Sequence, residues 1–466
     1  MSDQTPLYSA LVAEAGKKTL RMHMPGHKGK ALGAFKYSDI FEIDFTELRT
    51  TGNLYEGVPP ISEAEELAAK AAKARDCFFM TGGSTQAIMT AMATACKPGS
   101  RIIIDRSSHR SVWNAMVHLD LRPSFLFSDM LAPWNIAGPI SAPAVEEALA
   151  GLPEASAVVI TSPSYFGVLS DISGIAEVTK KYRVPLIVDE AHGAHLPYIA
   201  GYGCAVGQGA QLSAASAHKT LPALTSGAFL FSDGTYGPVE IRRKAVMFGT
   251  SSPSYPIMAS MDAARAYMEG EGGRKYERIA QAVRELRGII NSGGCFRALE
   301  EGDGFRLDPA RLTVDVSPAG LSGYQAAEIL ESEFNIVCEM ADKRNIVLII
   351  TCADTEDDLD RFLRALTEME GRRKKSFPGN GSYVNHESDV PAPPVPIQRV
   401  MPREAAYARR EYVRLGDAEG RIAGENIAPY PPGIPVVAAG EELSSAHIGY
   451  LELIGFKMNK VIAILA

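Results

Sequence analysis

Between residues 76 and 232 short apolar runs alternate with helix-length segments. The runs at 77–80, 101–105, 124–127, 157–161, 186–189, 212–216 and 227–231 read as strands, and 85–95, 111–118, 143–149 and 174–182 as helices. Near-continuous apolar strands separated by helices are the pattern of a mostly parallel sheet covered on both faces. Seven of them predict one large α/β domain. Further on, 276–290 places Ile279, Val283, Leu286 and Ile290 on one helical face. Residues 311–316 and 345–350 read as strands, 326–334 and 356–369 as helices, which predicts a smaller α/β or α+β region.

The pattern then breaks. The run Arg372-Arg373-Lys374-Lys375 is followed by Pro378, Pro391, Pro393, Pro394 and Pro396, the composition of a connector. The basic run reads as a solvated helix end, with a phosphate-binding patch as the alternative. A compact C-terminal unit with the turn cluster Pro429-Tyr430-Pro431-Pro432-Gly433-Ile434-Pro435 closes the chain. The expected division is an N-terminal arm over 1–45, a large α/β domain over 46–262, a smaller region over 263–371, a linker over 372–402 and a C-terminal domain over 403–466.

Composition narrows the class. Of 466 residues, 46% are hydrophobic and 22% charged, which excludes a disordered or collagen-like chain. Lys plus Arg number 47 against 55 Asp plus Glu, a formal charge of −8, so nucleic-acid binding is not expected. The balance is compatible with a cationic small substrate. Six cysteines without a C-x-x-C pair suggest reduced thiols, neither a disulfide framework nor a zinc cage. Residues 1–4 show no basic start leading to an apolar core, so no signal peptide is expected, and the cytoplasm is the expected compartment. Two stretches, 77–96 and 191–218, contain no Asp, Glu, Lys or Arg. Both are rich in glycine and polar residues, so they suggest a buried ligand site rather than a membrane span.

The first stretch runs from a strand into Thr81-Gly82-Gly83-Ser84-Thr85-Gln86 and a helix. Glycines let the backbone approach a ligand, and a helix N-terminus favours an anion. An ordinary capped helix after a tight turn would look the same. Asp189 ends another buried strand, where parallel sheets bind ligands, although a helix cap or a metal ligand is the bland alternative. Lys219, in Ser216-Ala217-His218-Lys219, follows an uncharged 28-residue stretch. A partly buried lysine loses proton affinity and becomes a nucleophile toward carbonyls. Phosphate loop, acid and lysine together describe a pyridoxal 5'-phosphate site, in which the acid keeps the pyridine nitrogen protonated. His109, in Asp105-Arg106-Ser107-Ser108-His109, is placed either to stack on the ring or to serve the structure alone.

The chain resembles the Orn/Lys/Arg decarboxylase family of fold type I pyridoxal phosphate enzymes, in its short form without an N-terminal wing domain. The matching pieces, in order, begin with Met22-His23-Met24-Pro25-Gly26-His27-Lys28-Gly29 and Asp44-Phe45-Thr46-Glu47-Leu48. The glycine loop, the His109 segment and Thr161-Ser162-Pro163-Ser164-Tyr165-Phe166-Gly167 follow. Val188-Asp189-Glu190-Ala191-His192-Gly193, the Lys219 segment and the proline cluster at 429–435 complete the set. The resemblance implies an aspartate aminotransferase-like large domain with a C-terminal domain. It implies Lys219 as the Schiff-base lysine with His218 beside it, Asp189 at the pyridine nitrogen and His109 on the ring. Ser84, Thr85 and Ser216 would bind phosphate. Thr250 and Ser251, in Phe248-Gly249-Thr250-Ser251-Ser252-Pro253, would reach a neighbouring subunit's site, so at least a homodimer is expected.

His192 stands where bulkier members carry tryptophan, and 53–60 departs from the usual pattern after Thr-Glu-Leu. Glu425 matches a carboxylate expected near the active site, and a solvated or salt-bridged role is its alternative. With Glu56, Asp417 and Glu190 it is a candidate partner for a substrate's cationic tail. The implied activity is decarboxylation of a basic amino acid in polyamine metabolism, arginine first and lysine second. The alternatives are transamination, β/γ-elimination or a non-catalytic relative on the same fold.

Overall fold

The computed structural model describes residues 19–22, 45, 47–48, 51–132, 134–302, 305–376, 393–429, 434–456 and 460–465. Outside these lie the motif at 23–29, Asp44, Thr46, most of the arm over 1–45, residues 377–392 of the linker, and 430–433 of the proline cluster.

The expected large sheet forms from β1 (Asp76–Met80), β2 (Arg101–Asp105), β3 (Arg122–Leu126), β4 (Val158–Thr161), β5 (Leu186–Asp189), β6 (Leu212–Ala215) and β7 (Ala228–Ser232). Their order is β1-β7-β6-β5-β4-β2-β3. The pairs from β3 through β6 are parallel, and β7 runs antiparallel to both β6 and β1. The strands are apolar throughout because each face meets its own core. Ile103, Val158, Ile160, Leu186 and Val188 pack in one cluster. Their neighbours Ile102, Ile104, Val159, Ile187 and Leu212 pack in another. The period of two sends successive residues to opposite faces. Pro123 sits in β3, the edge strand, where a missing N–H is tolerated.

A second sheet, β8 (Arg297–Ala298), β9 (Arg311–Asp315), β10 (Met340–Ala341) and β11 (Asn345–Ile349), is antiparallel in the order β8-β9-β11-β10. The helix Gly273–Gly293 buries Ile279, Val283, Leu286 and Ile290 in a core shared with Leu312 and Val314 of β9. That stripe is the one its 3.6-residue period predicts. At the C-terminus β12 (Arg410–Arg414) pairs antiparallel with β13 (Lys460–Ile464). Leu415, Ile427, Val437, Leu443, Leu451 and Val461 give this unit a core of its own. Among the described residues no helix is long and apolar enough to cross a membrane.

A buried ion pair holds the C-terminal unit to the large sheet. Arg106, one residue past β2, donates to both oxygens of Glu441, at 2.7 and 2.9 Å, and to the Val436 carbonyl at 3.0 Å. Its guanidinium lies over the rings of Trp113 and Phe125. Glu441 also accepts the Ala438 N–H at 2.6 Å, so both charges are satisfied where water is excluded. Removing one partner strands the other. Glu441→Ala is therefore expected to cost about 3–5 kcal/mol, read as a lower denaturation midpoint. An unchanged midpoint would show that the contact does not hold the unit in place.

Candidate active site

Because β2, β4, β5 and β6 are parallel, their carboxyl ends share one edge of the sheet, where such folds bind ligands. Asp105, Thr161 and Asp189 end three of these strands, and Ser216 follows the fourth. After β6 the chain must reverse to enter the antiparallel β7. The short helix Ala217–Thr220 makes that turn, so it sets Lys219 on the same edge.

Burial governs the electrostatics. Removal from water lowers the proton affinity of Lys219 to about 8, against the pull of Asp189 and Glu339; Arg311 lowers it further. Asp189 is buried, and burial raises its carboxyl; Lys219 and the Ala191 N–H, 3.1 Å away, counter part of the rise. Asp105 is also buried and raised, and accepts from the Ser107 N–H and Oγ at 2.8 and 2.7 Å. Lys219 Nζ lies 3.0 Å from Nε2 of His192, whose Nδ1 lies 3.1 Å from Arg311. Burial holds His192 neutral well below the usual imidazole range, and the nearby cations add to this. His218 donates Nδ1–H to the carbonyl of Gly227, the residue before β7, at 3.0 Å.

An anion cradle stands nearby. Gly83, at φ +76, opens the helix Gly83–Ala95; Gln86 Oε1 accepts the Gly82 N–H at 2.9 Å, and the N-cap residue itself offers no side chain to the N–H groups that follow. A left-handed residue there favours glycine. Ser84 and Thr85 occupy the first turn. His109 N-caps the next helix: its Nδ1 accepts the Ser111 N–H at 3.2 Å, and its ring remains exposed. Protein packed around the ring strips part of its water although some of its surface stays open, and this desolvation, then Lys219 and Arg110, lowers its proton affinity to about 4. Ser216 Oγ is fully buried with no hydrogen-bond partner among the described residues. An orphaned buried hydroxyl is costly unless a ligand satisfies it. Open helix N–H groups, that hydroxyl, an exposed imidazole, a buried acid and a partly buried lysine fit pyridoxal phosphate.

Other expected residues lie further out. Thr250 and Ser251 are exposed just past the helix Pro238–Phe248, and the Thr250 carbonyl accepts from Tyr55 OH at 3.0 Å. Glu425 lines a cavity of about 640 Å3 together with Thr85, Ser111 and Arg410. Asp417 is exposed and paired with Arg414, and Glu56 is exposed.

Glu190 must be corrected. It is not available to a substrate, because Cys204, Ser213 and Ala205 N–H donate to it at 2.9, 2.5 and 3.0 Å in the core. Burial, opposed by those donors, pushes its carboxyl up to about 7. Sequence reasoning gave no role to Arg311, Glu339 or Tyr165. Tyr165 donates to Glu339 and meets the His192 ring edge-on at 4.8 Å. The sequence carried no local signal for Arg311, which merely opens the mixed strand Arg311-Leu312-Thr313-Val314-Asp315.

Residues 5–306 match the family model described as Orn/Lys/Arg decarboxylase, major domain, and 391–461 the one described as its C-terminal domain. An arginine decarboxylase of Bacillus subtilis is 31% identical over 460 residues, covering 96% of this chain and 93% of that protein. One from Halalkalibacterium halodurans is 32% identical over 461 residues, covering 96% and 93%. Among solved structures, the constitutive lysine decarboxylase of E. coli superposes with a TM-score of 0.76 at 22% identity, over 92% of this chain and 77% of that one.

A pH dependence follows from His192. An unfolded histidine takes up a proton near 6.5, whereas the folded one refuses it until well below that value. Its contribution to stability is therefore complete above about 6.5 and falls as pH drops. His192→Gln has no proton to refuse, so its melting temperature is expected to gain on wild type as pH is lowered from 7.5 to 5. A difference that does not vary with pH would refute this.

Proposed function

The chain belongs to the Orn/Lys/Arg decarboxylase family, and from that membership we propose that it decarboxylates arginine to agmatine and carbon dioxide. It is a pyridoxal phosphate-dependent decarboxylase of a basic amino acid. The observation that carries the site assignment is the position of Lys219, within hydrogen-bond reach of a neutral histidine on the edge where Asp189 ends its strand. Arginine is favoured because full-length relatives at 31% and 32% identity are arginine decarboxylases.

When bound, pyridoxal phosphate supplies an electron sink for the pair released as carbon dioxide leaves. In our reading Lys219 holds it covalently and Asp189 pairs with its ring nitrogen. His109 would stack on the ring with His218 beside it, and Ser84, Thr85 and Ser216 would take the phosphate. Asp189 is fixed in orientation before reaction by the Ala191 N–H, so its carboxyl needs no reorganisation as electron density shifts. Lys219, with its proton affinity near 8, can hold or release a proton at Nζ at neutral pH. Glu425 is the proposed acceptor for the substrate's cationic tail, since it shares a cavity with Thr85. A guanidinium needs a planar carboxylate partner, which Glu425 can offer.

Exposed Thr250 and Ser251 support a homodimer in which each subunit completes the other's phosphate site. The division into 46–262, 263–371 and 403–466 is supported by sheets of seven, four and two strands in those ranges. A sparse set of six cysteines without a C-x-x-C pair supports a reducing, cytoplasmic setting.

Incubation with arginine, lysine and ornithine, followed by quantification of agmatine, cadaverine and putrescine, is expected to give agmatine in excess. Cadaverine in excess would overturn arginine and keep the family activity. Lys219→Ala is expected to abolish turnover, and retained turnover would remove Lys219 from its role. Mixing Lys219→Ala subunits with subunits altered at Thr250 and Ser251 is expected to restore activity in hybrids. A fully active monomer would sink the dimer.

A further inference from the structure

Arg311 opens β9 in the small sheet, yet its guanidinium reaches a loop of the large sheet. It is 2% exposed, and one terminal nitrogen donates to the Tyr165 carbonyl at 3.2 Å. The other lies 3.1 Å from His192 Nδ1 and 3.9 Å from Asp308. Its stem runs under Gly167, at φ +91, where an added Cβ would lie 2.6 Å from Arg311 Cγ. Asp308 is held in turn by His195 at 2.9 Å. Burial would raise Asp308, but His195 and Arg311 outweigh it and keep its carboxyl below the ordinary range. The arginine is thus clamped at both ends, and it addresses the ring that touches Lys219.

Donor chemistry then fixes the protons. Guanidinium can only donate. His192 Nδ1 must therefore present its lone pair, and a neutral imidazole carries its proton on Nε2. That N–H points at Lys219 Nζ, 3.0 Å away. An ammonium there would set donor against donor, whereas a free amine accepts the bond. We infer that Arg311 is a positioning residue which locks His192 as the Nε2–H tautomer and so holds Lys219 as the free, nucleophilic amine. The inference rests on Lys219 being the cofactor lysine. Its direction agrees with the lowered proton affinity of Lys219. The charged and titratable groups around the pair are Asp189 and Glu339, which favour the ammonium, and Arg311, His109 and His218, which disfavour charge on the pair.

The test uses the full chain freed of cofactor, so its readout is independent of turnover. Acetic anhydride labelling of Lys219, followed by peptide mass spectrometry across pH, reports the free-amine fraction. Arg311→Gln keeps a neutral N–H donor, and Arg311→Met keeps neither donor nor charge. Arg311→Met is expected to move the labelling midpoint upward by roughly one pH unit, about tenfold less free amine at pH 7. Arg311→Gln, which loses the charge but keeps a donor for Nδ1, is expected to move that midpoint by less than half as much. Equal midpoints in the two variants would overturn the proposal, because charge or packing would then explain the effect.

Should the variants not fold, nitrogen-15 histidine spectra of the wild-type chain decide: His192 is expected with Nδ1 bare and Nε2 protonated, and the reverse tautomer overturns the inference. Borohydride reduction of the loaded enzyme separately locates the cofactor-bearing lysine. Cofactor found on another lysine would remove the premise and with it the inference, whereas cofactor on Lys219 with an unshifted Arg311→Met midpoint would overturn the inference alone.

Discussion

Keeping an amine uncharged inside a protein is the constraint from which the rest of this site follows. Burial works against the ammonium of Lys219, and two acids, Asp189 and Glu339, work for it. The balance leaves an amine that titrates near neutrality. A single carboxylate in contact with Nζ would have trapped the proton, since an opposite charge at close range stabilises the charged form. The chain instead places a neutral ring at hydrogen-bond distance and keeps its cations one residue further back. Asp189, so placed, can be reserved for the ring nitrogen of the cofactor.

The large sheet was legible because its signal is local and repeated. Seven apolar runs became seven strands, and a strand's period of two explains why both faces needed apolar residues. The stripe Ile279, Val283, Leu286 and Ile290 was legible for the same reason on a helix. The lysine, acid and glycine loop could be read because each lies in a short segment whose chemistry is its own. Arg311 could not, since nothing local sets apart an arginine that will cross to another sheet. Its partners Tyr165 and His192 lie 146 and 119 residues away in sequence. Glu339 was hidden similarly, between the strand Ile336–Cys338 and β10, where one acid reads as solvated turn.

The site therefore draws on three parts of the fold. Strand ends of the large sheet supply the groups proposed to hold the cofactor. The small sheet supplies Arg311, and with it the protonation state of His192. The C-terminal unit supplies Glu425, proposed for the substrate's cationic tail, and, through Glu441, the anchor for Arg106, three residues before His109. A buried bidentate pair adds geometric definition more surely than it adds stability. Its location on the His109 segment indicates what is being defined: the path of a turn whose imidazole must face the edge of the sheet.

The neighbours Asp189 and Glu190 show how far position outweighs residue type here. Both carboxyls are buried, and burial raises both. Asp189 ends its strand on the lysine's edge, where any proton carried by Nζ and the hydrogen bond from the Ala191 N–H counter part of that rise. Glu190, one peptide on, turns into the core and meets only neutral donors: a thiol, a hydroxyl and a backbone N–H. Three hydrogen bonds satisfy its oxygens but supply no net charge, and its carboxyl rises to about 7. Two adjacent acids that composition cannot tell apart thus divide into one at the lysine's edge, proposed for the cofactor, and a structural one behind it. That division follows from the strand ending at residue 189, so the edge of the sheet decides which acid can serve chemistry.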